Sequence, residues 1–268
     1  MKILKMGVRN AAYQQFEALS RNREKRTQRR LFFLEGVHLI EQAVLNGWAF
    51  EAVGVQDGVR LSGWAEEMIE KAQPDALYRI APELMRELSD RTEPCELIAL
   101  VHMKEDGLAR FRQRGVPLFV LFDRPQGPGN LGTVIRSADA FDADGLIVTG
   151  HSADEYDPLC IRASVGAVFA LPVARMESVE RVLEWVSTLP MRPLIIGTSA
   201  KGDSLIDRVD LTGPTLLLIG NETFGLSKAW KEACDVLARI PIGGAASSLN
   251  AGCAASICLY EVSRQRGR

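Results

Sequence analysis

Short unbroken apolar runs alternate with apolar residues at helical spacing along most of the chain. Leu31–Leu34 and Phe50–Val55 read as strands. Between them Val37, Ile40, Ala43 and Val44 recur at helical spacing, and Asn46-Gly47 ends that helix. Residues 5–30 read as one polar helix whose only apolar stripe is Tyr13, Phe16 and Leu19. Trp64–Ala72 and Pro82–Leu88 predict helices, and Leu97–Val101 a strand that closes a small α/β domain, residues 1–102. Residues 103–116 carry many charges without periodicity and are assigned as a linker. Beyond them, in a second domain of residues 117–268, come buried-type strands at Pro117–Phe122, Gly145–Val148, Val168–Leu171, Leu194–Gly197, Thr215–Ile219 and Leu237–Ile240. Helices at Thr133–Phe141, Val179–Thr188 and Ser227–Ala233 separate them. Near-continuous apolar strands divided by helices imply a parallel sheet covered on both faces.

Composition narrows the classes. Hydrophobic residues make up 47% of the 268, enough for a core in each domain. No apolar run reaches the roughly 18–20 residues needed to span a bilayer, and the start Met1-Lys-Ile-Leu-Lys-Met has no signal-peptide core. Five cysteines (95, 160, 234, 253, 258) form no CxxC pair, and His38, His102 and His151 lie far apart, so no metal site is expected. An odd cysteine count without a secretory signal favours reduced, mostly buried thiols and a cytoplasmic protein. The net charge is only −2, yet residues 1–30 hold nine Lys or Arg against Glu17 and Glu24. Such a basic segment is the electrostatic footprint of a phosphate backbone, with Arg21, Arg23, Lys25, Arg26, Arg29 and Arg30 as the candidate nucleic-acid contacts; a solvated helix is the plain alternative.

Three loops carry candidate chemistry. Gly127-Pro-Gly-Asn-Leu-Gly132 fits G-x-G-x-x-G between a strand and a helix, which raises an NAD-dependent oxidoreductase as one reading. Four residues separate the strand from the first Gly, and Pro128 stiffens the loop; both argue against it. With Asn130 at or just before the helix start and Arg136 on its first turn, the same loop suits an anion such as phosphate. Ile219-Gly-Asn-Glu-Thr-Phe-Gly225 puts Glu222 among glycines at a strand end, where it needs a partner, either Arg136 or a loop. Ile240-Pro-Ile-Gly-Gly-Ala-Ala-Ser-Ser-Leu-Asn250 enters a helix through Ser247 or Ser248 as N-cap.

Together the three loops resemble the SpoU-type (TrmH-like) RNA 2′-O-ribose methyltransferases of the SPOUT superfamily. The matching positions are Asn130, Gly132 and Arg136; then Gly220, Glu222 and Gly225 as G-x-E-x-x-G; then Pro241, Gly244, Ser248, Leu249 and Asn250 as P-x-x-G-x-x-x-S-L-N. Residues 29–43 look like the ribosomal-protein-like substrate-binding domain that precedes many members. The resemblance implies an α/β fold with a deep trefoil knot in the C-terminal domain and a homodimer sharing its RNA site. It also implies S-adenosylmethionine held by backbone groups near Gly220, Ile240 and Leu249, with Thr198 as a further candidate. It implies a catalytic set of Arg136, Asn130, Glu222, Ser248 and Asn250, and favours ribosomal over transfer RNA as substrate. A noncatalytic RNA-binding protein is the remaining alternative. One departure stands out: Ala251-Gly-Cys-Ala254 replaces the family's usual Val-Ser-Val-Ala, so no serine hydroxyl is available at Gly252.

Overall fold

The computed structural model describes residues 1–89 and 91–267. They form two compact units, residues 1–105 with 156–169, and residues 106–155 with 170–268. Residues 156–169, expected in the second domain, thus belong with the first unit. Among the described residues no helix is long and apolar enough to cross a membrane.

The first unit runs β1 (Lys2–Met6), α1 (Ala11–Arg21), α2 (Arg23–Arg29), β2 (Leu31–Glu35), α3 (Val37–Leu45), β3 (Phe50–Gln56), α4 (Gly63–Ala72), β4 (Ala76–Ile80), α5 (Pro82–Leu88) and β5 (Leu97–His102). Its sheet has the order β1-β4-β3-β5-β2, with β1, β4 and β3 parallel and β5 antiparallel to both β3 and β2. The single helix expected over residues 5–30 is instead a strand and two helices. Asn10 caps α1 through its side chain, and Asn22 both ends α1 and caps α2. Asparagine favours these caps because its side chain satisfies N–H groups that a helix start leaves orphaned. Tyr13, Phe16 and Leu19 do form the buried face of α1, packed with Met6, Ile80, Leu84 and Leu88.

The second unit continues with β6 (Leu118–Asp123), α6 (Pro128–Ala140) and β7 (Gly145–Thr149). Helices α7 (Pro158–Ser164) and α8 (Ala167–Ala170), in the residues grouped with the first unit, come next. The chain then forms β8 (Val173–Met176), α9 (Val179–Thr188), β9 (Leu194–Thr198), β10 (Ser204–Leu205), β11 (Thr215–Ile219), α10 (Lys228–Ala233), β12 (Val236–Arg239) and α11 (Ala251–Gln265). Its seven strands, in the order β10-β12-β9-β11-β6-β7-β8, all pair in parallel. The parallel α/β expectation holds. The strand expected at Val168–Leu171 does not: residues 168–170 lie in α8, and the strand follows Pro172. A four-residue apolar run reads alike as strand or buried helix, and the left-handed Val165 and Gly166 turn the chain just before it. Two further expectations are corrected. Helix α6 starts at Pro128, a residue suited to a first helical position, so Asn130 lies within its first turn and Arg136 well beyond it. Asn250, not Ser247 or Ser248, caps α11, accepting from the N–H groups of Gly252 and Cys253.

Candidate active site

The three loops leave the C-terminal ends of β6, β11 and β12, the edge at which open parallel sheets bind ligands. Their first organiser is Asp123, 2% exposed at the end of β6. Its carboxylate accepts from Arg124 Nε at 3.0 Å and Nη2 at 2.9 Å, from Thr149 Oγ1 at 3.2 Å, and from the Ser227 N–H at 2.8 Å. The Arg124 guanidinium also donates to the Gly225 carbonyl, and the Arg124 carbonyl accepts from Asn221 Nδ2 at 2.7 Å. Asp123 and Arg124 therefore bind the loop after β6 to the loop after β11. Arg124 holds a left-handed φ of 52°, a conformation that this bonding offsets. Asn221 in turn accepts the N–H groups of Thr223 and Phe224. Sequence motifs alone missed all three residues; an acid and its neighbouring arginine at the end of a buried strand was the available signal.

Of the two partners expected for Glu222, the loop is the one it takes. Its carboxylate accepts from Asn130 Nδ2 at 3.0 Å and from the backbone N–H groups of Gln126 and Gly127 at 3.0 and 3.1 Å. The first turn of α6 thus already holds an anion, the chain's own. A phosphate at that helix start would have to sit beside this carboxylate. This also disfavours the dinucleotide reading, since the N–H groups of Gln126 and Gly127, at the turn into α6, are committed to a carboxylate. Burial opposes ionisation of Glu222, but the Asn130 amide and the backbone donors outweigh it, so the carboxyl stays below its ordinary range. The ionised form's extra stability is complete above that ordinary range and is lost as pH falls through the lowered value.

Asn130 then passes the link on. Its Oδ1 accepts from Asn250 Nδ2 at 2.9 Å, while Asn250 Oδ1 caps α11. Glu222, Asn130 and Asn250, three of the five expected catalytic residues, form one hydrogen-bonded chain across all three loops. The bare Gly252 suits the same arrangement: a Cβ there would stand 2.7 Å from Thr133 Cγ2, and one turn on Ser137 and Ser256 share a 2.7 Å hydrogen bond. Gly252 therefore lets α6 and α11 approach closely at this point.

Beside this chain lies a cavity of about 460 Å³, whose lining includes Thr198, Gly220, Ile240 and Leu249, the four expected cofactor residues, together with Ser248 and Glu222. Gly220 is bare by necessity, since a Cβ would come within 2.4 Å of the Leu226 nitrogen. Lys201 and Lys231 also line it. Arg136 is exposed, does not line the cavity, and makes no ion pair or hydrogen bond within the chain among the described residues.

The basic segment divides. Arg21, Arg23, Lys25, Arg29 and Arg30 are exposed. Arg26 is not: it is 1% exposed, with Nη1 donating to the Leu19 carbonyl and Nη2 to Asp157 Oδ2 at 3.3 Å. It holds α1 and α2 to the start of α7 and is withdrawn as an RNA contact. Elsewhere His102 Nε2 lies 3.2 Å from Glu51 Oε2, with Asp75 alongside, a grouping that spacing along the sequence does not reveal. Of the cysteines, Cys160 and Cys258 are buried and Cys253 is exposed on α11, so the thiols are less buried than expected.

Residues 117–260 match the SpoU rRNA Methylase family and residues 10–99 the SpoU L30e-like domain. A 23S rRNA (uridine(2479)-2'-O)-methyltransferase from Streptomyces viridochromogenes is 47% identical, covering 96% of this chain and 91% of its own. A 23S rRNA (guanosine-2'-O-)-methyltransferase from Pseudomonas aeruginosa is 31% identical over 93% of each chain. The crystal structure of the SpoU methyltransferase AviRb from Streptomyces viridochromogenes, in complex with AdoMet, superimposes with a TM-score of 0.90 at 46% identity, covering 96% of this chain and 98% of that one. The motif loops, the parallel sheet and the match across both units agree, and the chain belongs to the SpoU rRNA methylase family.

Proposed function

We propose that this protein transfers a methyl group from S-adenosylmethionine to a ribose 2′-hydroxyl of 23S ribosomal RNA, on a uridine. The observation that carries the reading is the Glu222–Asn130–Asn250 chain, which closes three separate loops beside one cavity. The cavity suits the methyl donor: its volume is that of a small-molecule site, Ile219, Leu226 and Ile240 give apolar walls, and Gly220 offers bare backbone. When bound, the donor supplies an electrophilic methyl on a sulfonium. The uridine follows the 47% identical relative, which is named for a uridine.

Arg136 is the residue assigned to the ribose. A guanidinium with a pKa above about 12 does not take a proton at neutral pH. Its role is to grip phosphate and to stabilise negative charge as the hydroxyl loses its proton. Asn130, oriented by Glu222 on one side and Asn250 on the other, positions the ribose; Ser248 completes the pocket rim.

Arg136 stands off its own cavity, and α11 exposes Cys253, Ile257 and Tyr260 on one stripe. A second copy packed on α11 would cover this stripe and bring Arg136 to the other copy's cavity, so the active form is a homodimer. The stretch 240–250, which joins β12 to α11, is where the trefoil knot would be tied. Calorimetric titration should show S-adenosylmethionine binding once per chain and NAD⁺ not at all; the reverse preference would refute the cofactor assignment.

The exposed part of the basic segment adds affinity for RNA backbone. Deleting residues 1–30 would not test this, because β1 and the buried face of α1 belong to the core. Neutralising Arg21, Arg23, Lys25 and Arg29 with glutamine should instead weaken 23S rRNA binding and flatten its dependence on salt, by roughly one in slope for each phosphate no longer neutralised. Arg26→Met should leave that slope unchanged and lower the melting temperature, because Asp157 is left without its buried partner. An unaltered slope in the fourfold variant would exclude this surface from RNA binding.

A further inference from the structure

Phe224 has no part in the chemistry described so far. It is 76% exposed, the most exposed of the large apolar side chains among the described residues. It nevertheless lines the same cavity as Gly220, Glu222 and Leu249. An exposed aromatic on a loose loop would need no account, but the turn that carries Phe224 is fixed at every point. Asn221 and Gly225 exchange both backbone hydrogen bonds, at 3.1 and 2.9 Å. The N–H groups of Thr223 and Phe224 both donate to Asn221 Oδ1, and Asn221 Nδ2 is anchored on the Arg124 carbonyl. Gly225, with a φ of +66°, closes the turn.

A phenyl ring with two side-chain torsions on so fixed a backbone loses little freedom when a flat partner covers it. The charges around the cavity indicate what that partner is. Lys201 and Lys231 line it without a carboxylate partner among the described residues. Cations beside an exposed π face are the pattern that holds single-stranded nucleotides, phosphate to the cation and base to the ring. The cofactor's adenine is the competing occupant. It has the apolar walls of Ile219, Leu226 and Ile240, whereas Phe224 stands at the outer tip of its turn.

We propose that Phe224 is the stacking platform for the base of the nucleotide being methylated, holding that base out of the RNA stack so that its ribose lies at the cavity mouth. The inference rests on the ribose-methyltransferase reading. It makes Phe224 a positioning residue that reads the presence of a base and not its identity, because every base has a π face.

The test uses the full-length protein, S-adenosylmethionine and a 23S rRNA transcript. Phe224→Ala should raise KM for the transcript between about 5- and 150-fold, the range for losing one base–aromatic stack, by far more than it changes the affinity for S-adenosylmethionine. Phe224→Trp should restore it, and Phe224→Leu, apolar but without a π face, should not. The side chain is exposed, so none of the three opens a core cavity. With a transcript fragment abasic at the nucleotide that the wild-type protein methylates, the wild type and Phe224→Ala should perform alike. An unchanged KM, a penalty that persists on the abasic fragment, a matching loss of S-adenosylmethionine affinity, or a change in oligomeric state each overturns the assignment. A wild-type protein that methylates no ribose overturns the underlying reading instead, and the two failures are distinct.

Discussion

Replacing Arg136 by alanine is expected to reduce methyl transfer to RNA by roughly 10²–10³-fold, the usual loss when one charge-stabilising group is removed from a transition state. S-adenosylmethionine should bind the variant as it binds the wild type, because Arg136 does not line its own chain's cavity and is assigned to the ribose and not to the donor. The fold should be unaffected, because Arg136 is exposed and bonds to nothing else in the chain among the described residues. Lysine should rescue poorly, since it keeps the charge and loses the planar fork that grips phosphate and alkoxide together. Single-turnover kinetics with labelled methyl donor, alongside calorimetry, separates the two effects. Near-normal turnover in Arg136→Ala would remove this residue from the mechanism.

Gly220→Ala is expected to fail in the opposite way. The new Cβ would meet the Leu226 nitrogen at 2.4 Å and the Gly225 carbonyl carbon at 2.5 Å. Both are backbone atoms, so no rotamer change relieves the clash. The Asn221–Gly225 turn must open, and with it Glu222 withdraws from the first turn of α6. Overpacking of this kind costs about 1–3 kcal/mol; borne by the turn that lines the donor cavity, it should lower S-adenosylmethionine affinity by about 10–100-fold. Calorimetry measures it directly. Wild-type affinity in this variant would show that the donor does not lie against the turn.

Much of this site was readable in the sequence because backbone requirements leave marks. Gly220 stands where a Cβ would run into backbone, Gly225 takes a left-handed φ of 66°, and Asn130, Glu222 and Asn250 fall at the motif positions. The partners were not readable. Nothing in the spacing showed that Glu222 would settle on the N–H groups of Gln126 and Gly127, because that contact joins residues almost a hundred positions apart. The same holds for Asp123, whose buried carboxylate organises two loops. Arg26 misled for a related reason: in a run of basic residues, the one that faces inward is chosen by Asp157, 131 positions away. Local signals failed in two ways. β1 is an edge strand with an exposed Ile3 and Leu4, so its pattern does not alternate against a core. α8 is apolar throughout and only about one turn long, too short for a helical period to show.

The most direct test of the account is the chemical position of the transferred methyl. The protein, incubated with labelled S-adenosylmethionine and unmodified 23S rRNA, should place the label on a single ribose, recovered as a 2′-O-methyl nucleoside and as an alkali-resistant dinucleotide. Label on a base, or none on RNA while the donor still binds, would contradict it.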